Sequence, residues 1–392
     1  MKQLPILGTF LVVSILIACA PVASPAPASP STLTPLPVIE IGTPTLIPTL
    51  GSESAWLESA VHKSIVFERP SLSGGQDIYR LSPDGSPPTK LTNIYNLFQV
   101  LASPNGKYLA IQTRLPEGVE HDVLVLLSLS DLSLNPVAEN TWITTLAWAP
   151  SGDALAYTQW ANNGVQVILY DLTSQKLQTL LEWGGSGPWE ITAWVLGGEK
   201  LLLQHLAGGG LLSDQVALLS IQPSEMQIIY TDSTKLTGIV SAATGGQVAL
   251  VTQAVSTTNP RVKLQRLDLI SGSFTPLIER GDANALVASV LDWSPDGKRV
   301  AFTVSDRIEK GTSGVDKIVV LDVGSGEVSI VTEVAGTGIL ARPLAWLSDE
   351  ILLARNLGGE ALDEVLYTIR VDGSGMQRIL NLSGGRFLTT LP

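Results

Sequence analysis

The chain has one cysteine and three histidines among its 392 residues. A lone thiol has no internal partner, so no disulfide staples the fold. With His62, His121 and His205 far apart and a single cysteine, a zinc site of the usual ligand set is not expected. Charge is sparse as well. Only 15% of residues are charged, and 36 Asp plus Glu against 24 Lys plus Arg leave a net charge of -12. That excess of carboxylates argues against nucleic-acid backbones and anionic lipid surfaces as partners. Apolar runs are short: the longest near the N-terminus, residues 6–18, is about 13 residues against the roughly 20 that a bilayer requires. No Gly-x-Ser-x-Gly occurs, so no nucleophile elbow is visible. The glycine-rich pieces 184–187 and 208–210 precede strand-like rather than helix-like sequence, which does not support a phosphate loop.

What the chain does have begins at its N-terminus. Lys2, the apolar stretch and the small residue Ala18 have the order of a secretory signal. The run Leu16-Ile17-Ala18-Cys19 resembles the bacterial lipobox. That resemblance implies removal of residues 1–18 and lipidation of Cys19, with the rest of the chain tied to a bacterial membrane and facing the periplasm or the cell exterior. The alternative is an ordinary cleaved signal whose cysteine is incidental. Residues 20–52 are rich in Pro, Ser and Thr and carry one charge, Glu40. Such a segment has little to bury and favours polyproline II, so residues 19–52 read as a disordered tether. At about 3.1 Å per residue it reaches roughly 100 Å.

From residue 53 onward, 45% hydrophobic composition with 36 Gly and 24 Pro in the whole chain favours a turn-rich β protein over long helices. The sequence also repeats. The clearest copies are Trp293-Ser-Pro-Asp-Gly-Lys-Arg-Val-Ala-Phe302 and Trp148-Ala-Pro-Ser-Gly-Asp-Ala-Leu-Ala-Tyr157, followed by Ala102-Ser-Pro-Asn-Gly-Lys-Tyr-Leu-Ala-Ile111. Fainter copies start at Trp56, Trp194, Ala242 and Trp346, and the successive spacings are 46, 46, 46, 48, 51 and 53 residues. Each unit holds a strand up to the Trp or Ala, a tight turn and an apolar strand. A third strand ends in a marker such as Tyr170-Asp171-Leu172, Leu267-Asp268-Leu269 or Leu321-Asp322-Val323, and a fourth strand follows. Four antiparallel strands at this period describe a β-propeller blade. The expected architecture is therefore all-β over residues 53–392, a seven-bladed propeller of four-stranded antiparallel blades at about 49 residues each. Closure through residues 386–391, pairing the last strand with the first, is favoured over closure through 54–57, because an unpaired edge is a pairing hazard.

At these repeats the chain resembles the TolB-type, WD-like propeller, whose hallmark is the Trp-Ser-Pro-Asp-Gly-Lys strand-turn-strand. The likeness is strong at 293–302, good at 102–111 and 148–157, and faint elsewhere; Val195-Leu196-Gly197-Gly198, Ala243-Thr244-Gly245-Gly246 and Leu347-Ser348-Asp349-Glu350 depart from it. The resemblance implies a non-catalytic, lipid-anchored scaffold that binds a protein or peptide in the cell envelope. The same repeat occurs in the propellers of prolyl oligopeptidase-like enzymes, whose chemistry sits in a separate hydrolase domain. Such a domain is not expected after Pro392.

In this strand order, one end of the ring carries short stereotyped turns and the other carries the variable loops. Function is expected on the variable face. The candidate binding residues there are Glu120, His121 and Asp122, Arg307 and Glu309, and the tryptophans outside the repeat, Trp142, Trp160, Trp183 and Trp189. Aromatic side chains near loops stack on sugars or anchor partners. The recurrent turn aspartates Asp84, Asp171, Asp268, Asp296 and Asp322 read as structural. So do the periodic tryptophans Trp148, Trp194, Trp293 and Trp346, as packing between blades. The three histidines read as loop or surface residues. Two rival readings stand beside the scaffold: a glycan or small-solute binder, which requires two loop tryptophans about a common cleft, and a metal-dependent lactonase or lyase, which requires three or more converging carboxylates. No cofactor or metal is expected on the first reading.

Overall fold

The computed structural model describes residues 62–114, 122–161, 164–206, 213–232, 237–254, 262–279, 286–287, 291–305, 315–335, 341–357 and 364–392. Its strands follow in chain order. The first three are β1 (Ser64–Pro70), β2 (Gln76–Leu81) and β3 (Thr89–Ile94). Next come β4 (Leu97–Ala102), β5 (Tyr108–Arg114), β6 (Asp122–Ser128), β7 (Leu134–Trp148), β8 (Ala154–Ala161), β9 (Gly164–Asp171) and β10 (Lys176–Trp183). A third group comprises β11 (Trp189–Val195), β12 (Lys200–Leu206), β13 (Ser213–Ser220), β14 (Met226–Thr231), β15 (Thr237–Ala242), β16 (Val248–Ala254), β17 (Val262–Asp268) and β18 (Phe274–Glu279). Then follow β19 (Leu286–Val287), β20 (Asp292–Trp293), β21 (Arg299–Ser305), β22 (Val315–Asp322) and β23 (Val328–Ala335). The last are β24 (Arg342–Trp346), β25 (Ile351–Arg355), β26 (Val365–Arg370), β27 (Gln377–Asn381) and β28 (Arg386–Leu391). The fold is all-β and forms a propeller; the one helical piece among the described residues is the 3-10 turn Leu196–Gly198.

The expectation of seven separate four-stranded blades is corrected: hydrogen bonding gathers the strands into five sheets of four, seven, eight, five and four strands. The physical reason lies in two joins. Strand β7 runs for 15 residues without a break, pairing β6 along its first half and β8 along its second. Nothing between Val137 and Trp148 is Gly or Pro, so the chain has no reason to turn there. The second join is a single pairing, Ser213 with Thr237, that ties β13 to β15.

Closure follows the expected route. Strand β28 pairs antiparallel with β1, Ser64 opposite Leu391 and Glu68 opposite Arg386, so the last strand of the chain belongs to the first sheet. Trp56 and the alternative closing segment 54–57 lie outside the described residues.

Burial follows from sheets packed face to face. Middle strands are covered on both sides, and β6 is buried at every position, whereas the outer strand β10 is exposed along its first half. The core accordingly sits between sheets. Phe67 and Ile65 meet Leu353, Leu366 and Leu380, and Trp189, Ile191 and Trp194 meet Val167, Leu169 and Leu180. Each such side chain contributes about 1.5–3 kcal/mol when fully buried.

The repeat markers supply the joints. Trp148 Nε1 donates to Leu101 O at 3.1 Å, Trp194 Nε1 to Ala147 O at 2.9 Å, Trp293 Nε1 to Ser241 Oγ at 2.9 Å and Trp346 Nε1 to Asp292 O at 2.8 Å. In each case the acceptor immediately precedes the equivalent marker one repeat earlier. A periodic tryptophan is thus a hydrophobic wedge with one polar tip, and the tip fixes the register of its neighbour. Trp194→Phe keeps most of the wedge and leaves Ala147 O without its donor. Thermal unfolding should show a loss of about 1–3 kcal/mol; an unchanged melting temperature would mean that the indole N–H is dispensable.

The Ser-Pro-Asp-Gly turn has an equally local cause. Ser294 Oγ accepts from Arg299 N at 2.9 Å and donates to Asp296 Oδ1 at 2.6 Å; Ser103 does the same with Tyr108 N and Asn105 Oδ1, at 2.9 and 2.8 Å. Two of the three turns that depart from the motif compensate each other. Leu196 N donates to Gly246 O at 2.8 Å, Gly197 N to Gly245 O at 3.0 Å, and Gly245 N to Trp194 O at 2.8 Å.

Candidate functional site: an aromatic ladder on the variable face

The short-turn face is where the described chain enters and leaves. Lys63 Nζ donates to Trp346 O at 3.0 Å, and Pro392 lies against the turn at Gly106, where an added Cβ would stand 3.2 Å from its ring. The aspartates of this face are committed to their own turns. Asp268 Oδ1 accepts from Ser271 N at 2.8 Å and Ile270 N at 3.1 Å, and Asp322 Oδ1 accepts from Ser325 N at 2.7 Å and Gly324 N at 3.0 Å. The serine backbone N–H bonds above all hold both carboxyls below the usual carboxylate range. In both, the Oδ1 atom serves the turn that follows it.

The opposite face starts from strand ends. Phe98 is near the start of β4, Arg114 ends β5, Asp122 opens β6, Trp142 begins the second half of β7 and Trp160 lies near the end of β8. The Arg114 guanidinium sits over the Phe98 ring at 4.9 Å and the Trp142 ring at 5.0 Å, so a cation lies between two aromatic rings. Asp122 holds that cation in place with Oδ1 3.1 Å from Nη2. Trp142 and Trp160 face each other across the β7–β8 pair, which puts the two side chains on one face of the sheet. Phe98, Trp142 and Trp160 stay 45%, 44% and 44% exposed. Ring, guanidinium, ring and ring therefore form a ladder open to solvent. Nearby, Tyr95 donates from its hydroxyl to Ser73 O at 3.3 Å.

The structure separates the sequence candidates. Trp142 and Trp160 come together in the ladder. Trp183 and Trp189 do not join them; they pack edge-to-face at 6.1 Å, and Trp189 is fully buried. Asp122 is no free loop carboxylate. It is buried, and besides Arg114 it accepts from Gln112 Nε2 at 2.9 Å and Ile143 N at 3.2 Å. Cys19, Glu120, His121, Arg307 and Glu309 lie outside the described residues. His205, read from sequence as a loop or surface residue, is instead buried near the end of β12. Phe98 and Arg114 were missed. A signal for Phe98 exists, since it stands four residues before the marker Ala102, where the inner strand enters from the variable face.

Other carboxylates at this end are also engaged by cations. Glu68 Oε1 lies 2.9 Å from Arg386 Nε, and Glu364 Oε2 lies 2.8 Å from Arg355 Nη1 while its Oε1 accepts from Phe387 N at 2.9 Å. Burial pushes the Glu68 carboxyl up, and the Arg386 charge opposes that shift. Among the described residues no group of three or more His, Cys, Asp or Glu is placed to hold a metal.

No protein-family model matches the chain, and no curated protein matches it. Solved structures do. TolB from Acinetobacter baumannii aligns with TM-score 0.50 and 14% identity over 86% of this chain and 68% of that one. An oligogalacturonate lyase in complex with manganese aligns with TM-score 0.56 and 14% identity, over 83% and 86%. A prolyl endopeptidase aligns with TM-score 0.63 and 12% identity over 87% of this chain, which spans 52% of that enzyme. At these identities the likeness shows a shared propeller fold, and TolB-like propellers are among the neighbours.

Proposed function

We propose that the chain is a non-catalytic propeller, lipid-anchored through Cys19, that holds an envelope protein or peptide against the Phe98–Arg114–Trp142–Trp160 ladder. The observation that carries this reading is the pairing of an exposed aromatic ladder on one face with chain entry on the other. Exposed Trp and Arg are the side chains that dominate protein contacts. The propeller neighbours fit a scaffold, and TolB among them favours a periplasmic setting.

The two ladder tryptophans also favour a second reading, a glycan or small-solute binder, because adjacent indoles offer a stacking platform. The lyase neighbour belongs to a catalytic propeller. In this chain, however, the carboxylates nearest the ladder and the ring closure are paired with arginine.

The test compares full-length wild type with Trp142→Ala/Trp160→Ala in capture from envelope extracts. The double variant should lose at least about 30-fold in affinity, as expected when hot-spot side chains are truncated, while its melting temperature stays unchanged. Undiminished capture would sink the assignment of the ladder. Elution of the partner by free glycan would select the second reading. Separately, Cys19→Ser should move the protein from membrane to soluble fractions; retention at the membrane would refute the lipid anchor.

A further inference from the structure

Strands β24 and β25 pair Arg342 with Arg355, which sets two like charges directly opposite each other at the variable end of the last sheet. Like charges in that position destabilise a sheet, so each calls for a counter-charge. Arg355 has one: its Nη1 lies 2.8 Å from Glu364 Oε2. The other oxygen of Glu364 accepts from Phe387 N at 2.9 Å, so this carboxylate is engaged through both oxygens. Arg342 has no ion pair or side-chain hydrogen bond among the described residues, and its Nε is buried without a partner. The carboxylates whose charge reaches it are Glu364, already engaged, and Asp292. Burial pushes the Asp292 carboxyl up to about 7, against the Arg342 charge, so at neutral pH it supplies only part of a counter-charge.

We propose that Arg342 and Arg355 form a carboxylate-binding clamp, which takes an acidic side chain or the C-terminal carboxylate of the peptide held by the ladder. The clamp rests on the peptide-binding role proposed above for the variable face. A guanidinium presents a planar fork of N–H donors that meets a carboxylate in two parallel bonds. Arg355 is steadied by Glu364, and Arg342 stands beside it only partly buried. Burial and the Arg355 charge push the Arg342 guanidinium down from its usual value, against Glu364 and Asp292. An incoming anion therefore relieves a repulsion that the fold already carries.

The clamp is continuous with the ladder. Arg386, which opens β28, lies between them. Its Nε is 2.9 Å from Glu68 Oε1, and its Nη2 donates to Leu97 O at 2.9 Å, one residue before Phe98. From Arg342 through Arg355 to Arg386, three guanidiniums thus meet two carboxylates that are already paired, Glu364 and Glu68. Farther along, Arg114 is neutralised by Asp122. The ladder offers aromatic surface without a spare charge, and the clamp sets a cation beside it. A chain with a net charge of -12 repels polyanions at long range, so a single carboxylate carried on a peptide suits this corner better than a nucleic acid.

Calorimetric titration of the full chain at low salt with three acetylated tripeptides tests the clamp. The probes are amidated triglutamate, amidated triglutamine and triglutamine with a free C-terminal carboxylate. In wild type the better of the two carboxylate-bearing probes should bind about ten- to a hundredfold more tightly than amidated triglutamine, the gain expected for charge-assisted hydrogen bonds. Which of the two it is tells a side-chain carboxylate from a chain end. Arg342→Gln should abolish the preference and melt at or above the wild-type temperature, because one of two opposed like charges is gone. Equal or undetectable binding of all three probes to wild type would overturn the inference. So would an unchanged preference in Arg342→Gln, or glucuronate or inorganic phosphate binding as tightly as the peptides. Trp142→Ala/Trp160→Ala should keep the preference whether or not the ladder holds a partner, so a failure of the ladder leaves this test intact.

Discussion

Deleting residues 386–392 is expected to cost the protein its cooperative unfolding transition, or to lower its melting temperature by at least about 10 °C. A C-terminal strand at the edge of an open sheet could be trimmed at modest cost. Strand β28 is different, because it pairs with β1 at the opposite end of the sequence and so closes the ring. Its removal exposes the unpaired edge of β1. It also removes the Arg386 guanidinium that bonds Glu68 and donates to Leu97 O at 2.9 Å, the contact that reaches the next inner strand, β4. Glu68 would be left a buried carboxylate without its cation, a costly arrangement in its own right. Calorimetry of the truncated and intact chains decides the matter. A superimposable melting curve would show that the ring is held closed by something other than this strand.

The second large effect is expected at Asp122. Its carboxylate is shared by Arg114, Gln112 Nε2 and Ile143 N, and it is almost completely buried. Asp122→Ala strands three donors at once, one of them charged, and should destabilise the protein by about 3–5 kcal/mol. Asp122→Asn keeps an acceptor for Ile143 N and should lose less. Because Asp122 positions the guanidinium between Phe98 and Trp142, both substitutions should also weaken partner capture in proportion to the disorder of Arg114. Denaturant titrations together with capture assays separate the two effects. A stable Asp122→Ala protein would show that the carboxylate is a surface charge after all.

The sequence exposed the fold through residues whose roles are local. Trp148, Trp194, Trp293 and Trp346 recur because every repeat needs a wedge with a polar tip. Ser103 and Ser294 recur because a serine hydroxyl satisfies the turn that follows. Closure by residues 386–391 could be argued from the cost of a bare edge alone. The number of separate sheets could not be read from the period, because it depends on continuity rather than recurrence: β7 passes unbroken from one pairing partner to the next, and one residue pair ties β13 to β15.

At the site, residue type pointed to the right tryptophans without sorting them. Trp142 and Trp160 face solvent, whereas Trp183 and Trp189 are turned inward around His205. That difference depends on which way a strand end faces, and no spacing rule carries it. Asp122 looked like part of a polar loop cluster beside Glu120 and His121. It is the first residue of β6, and its partners come from β5 and β7. From sequence His205 reads as a loop or surface residue because its polar partners lie 19 residues before it and nine after it, on elements that only the folded ring brings together.

Photocrosslinking in intact envelopes most directly tests the claim that the ladder meets a partner while the turn face does not. A photoreactive phenylalanine analogue would replace Phe98 in one full-length protein and Asp372, in a turn of the opposite face, in another. The account predicts a discrete partner adduct from position 98 and none from position 372. An adduct from position 372 with none from position 98 would contradict it.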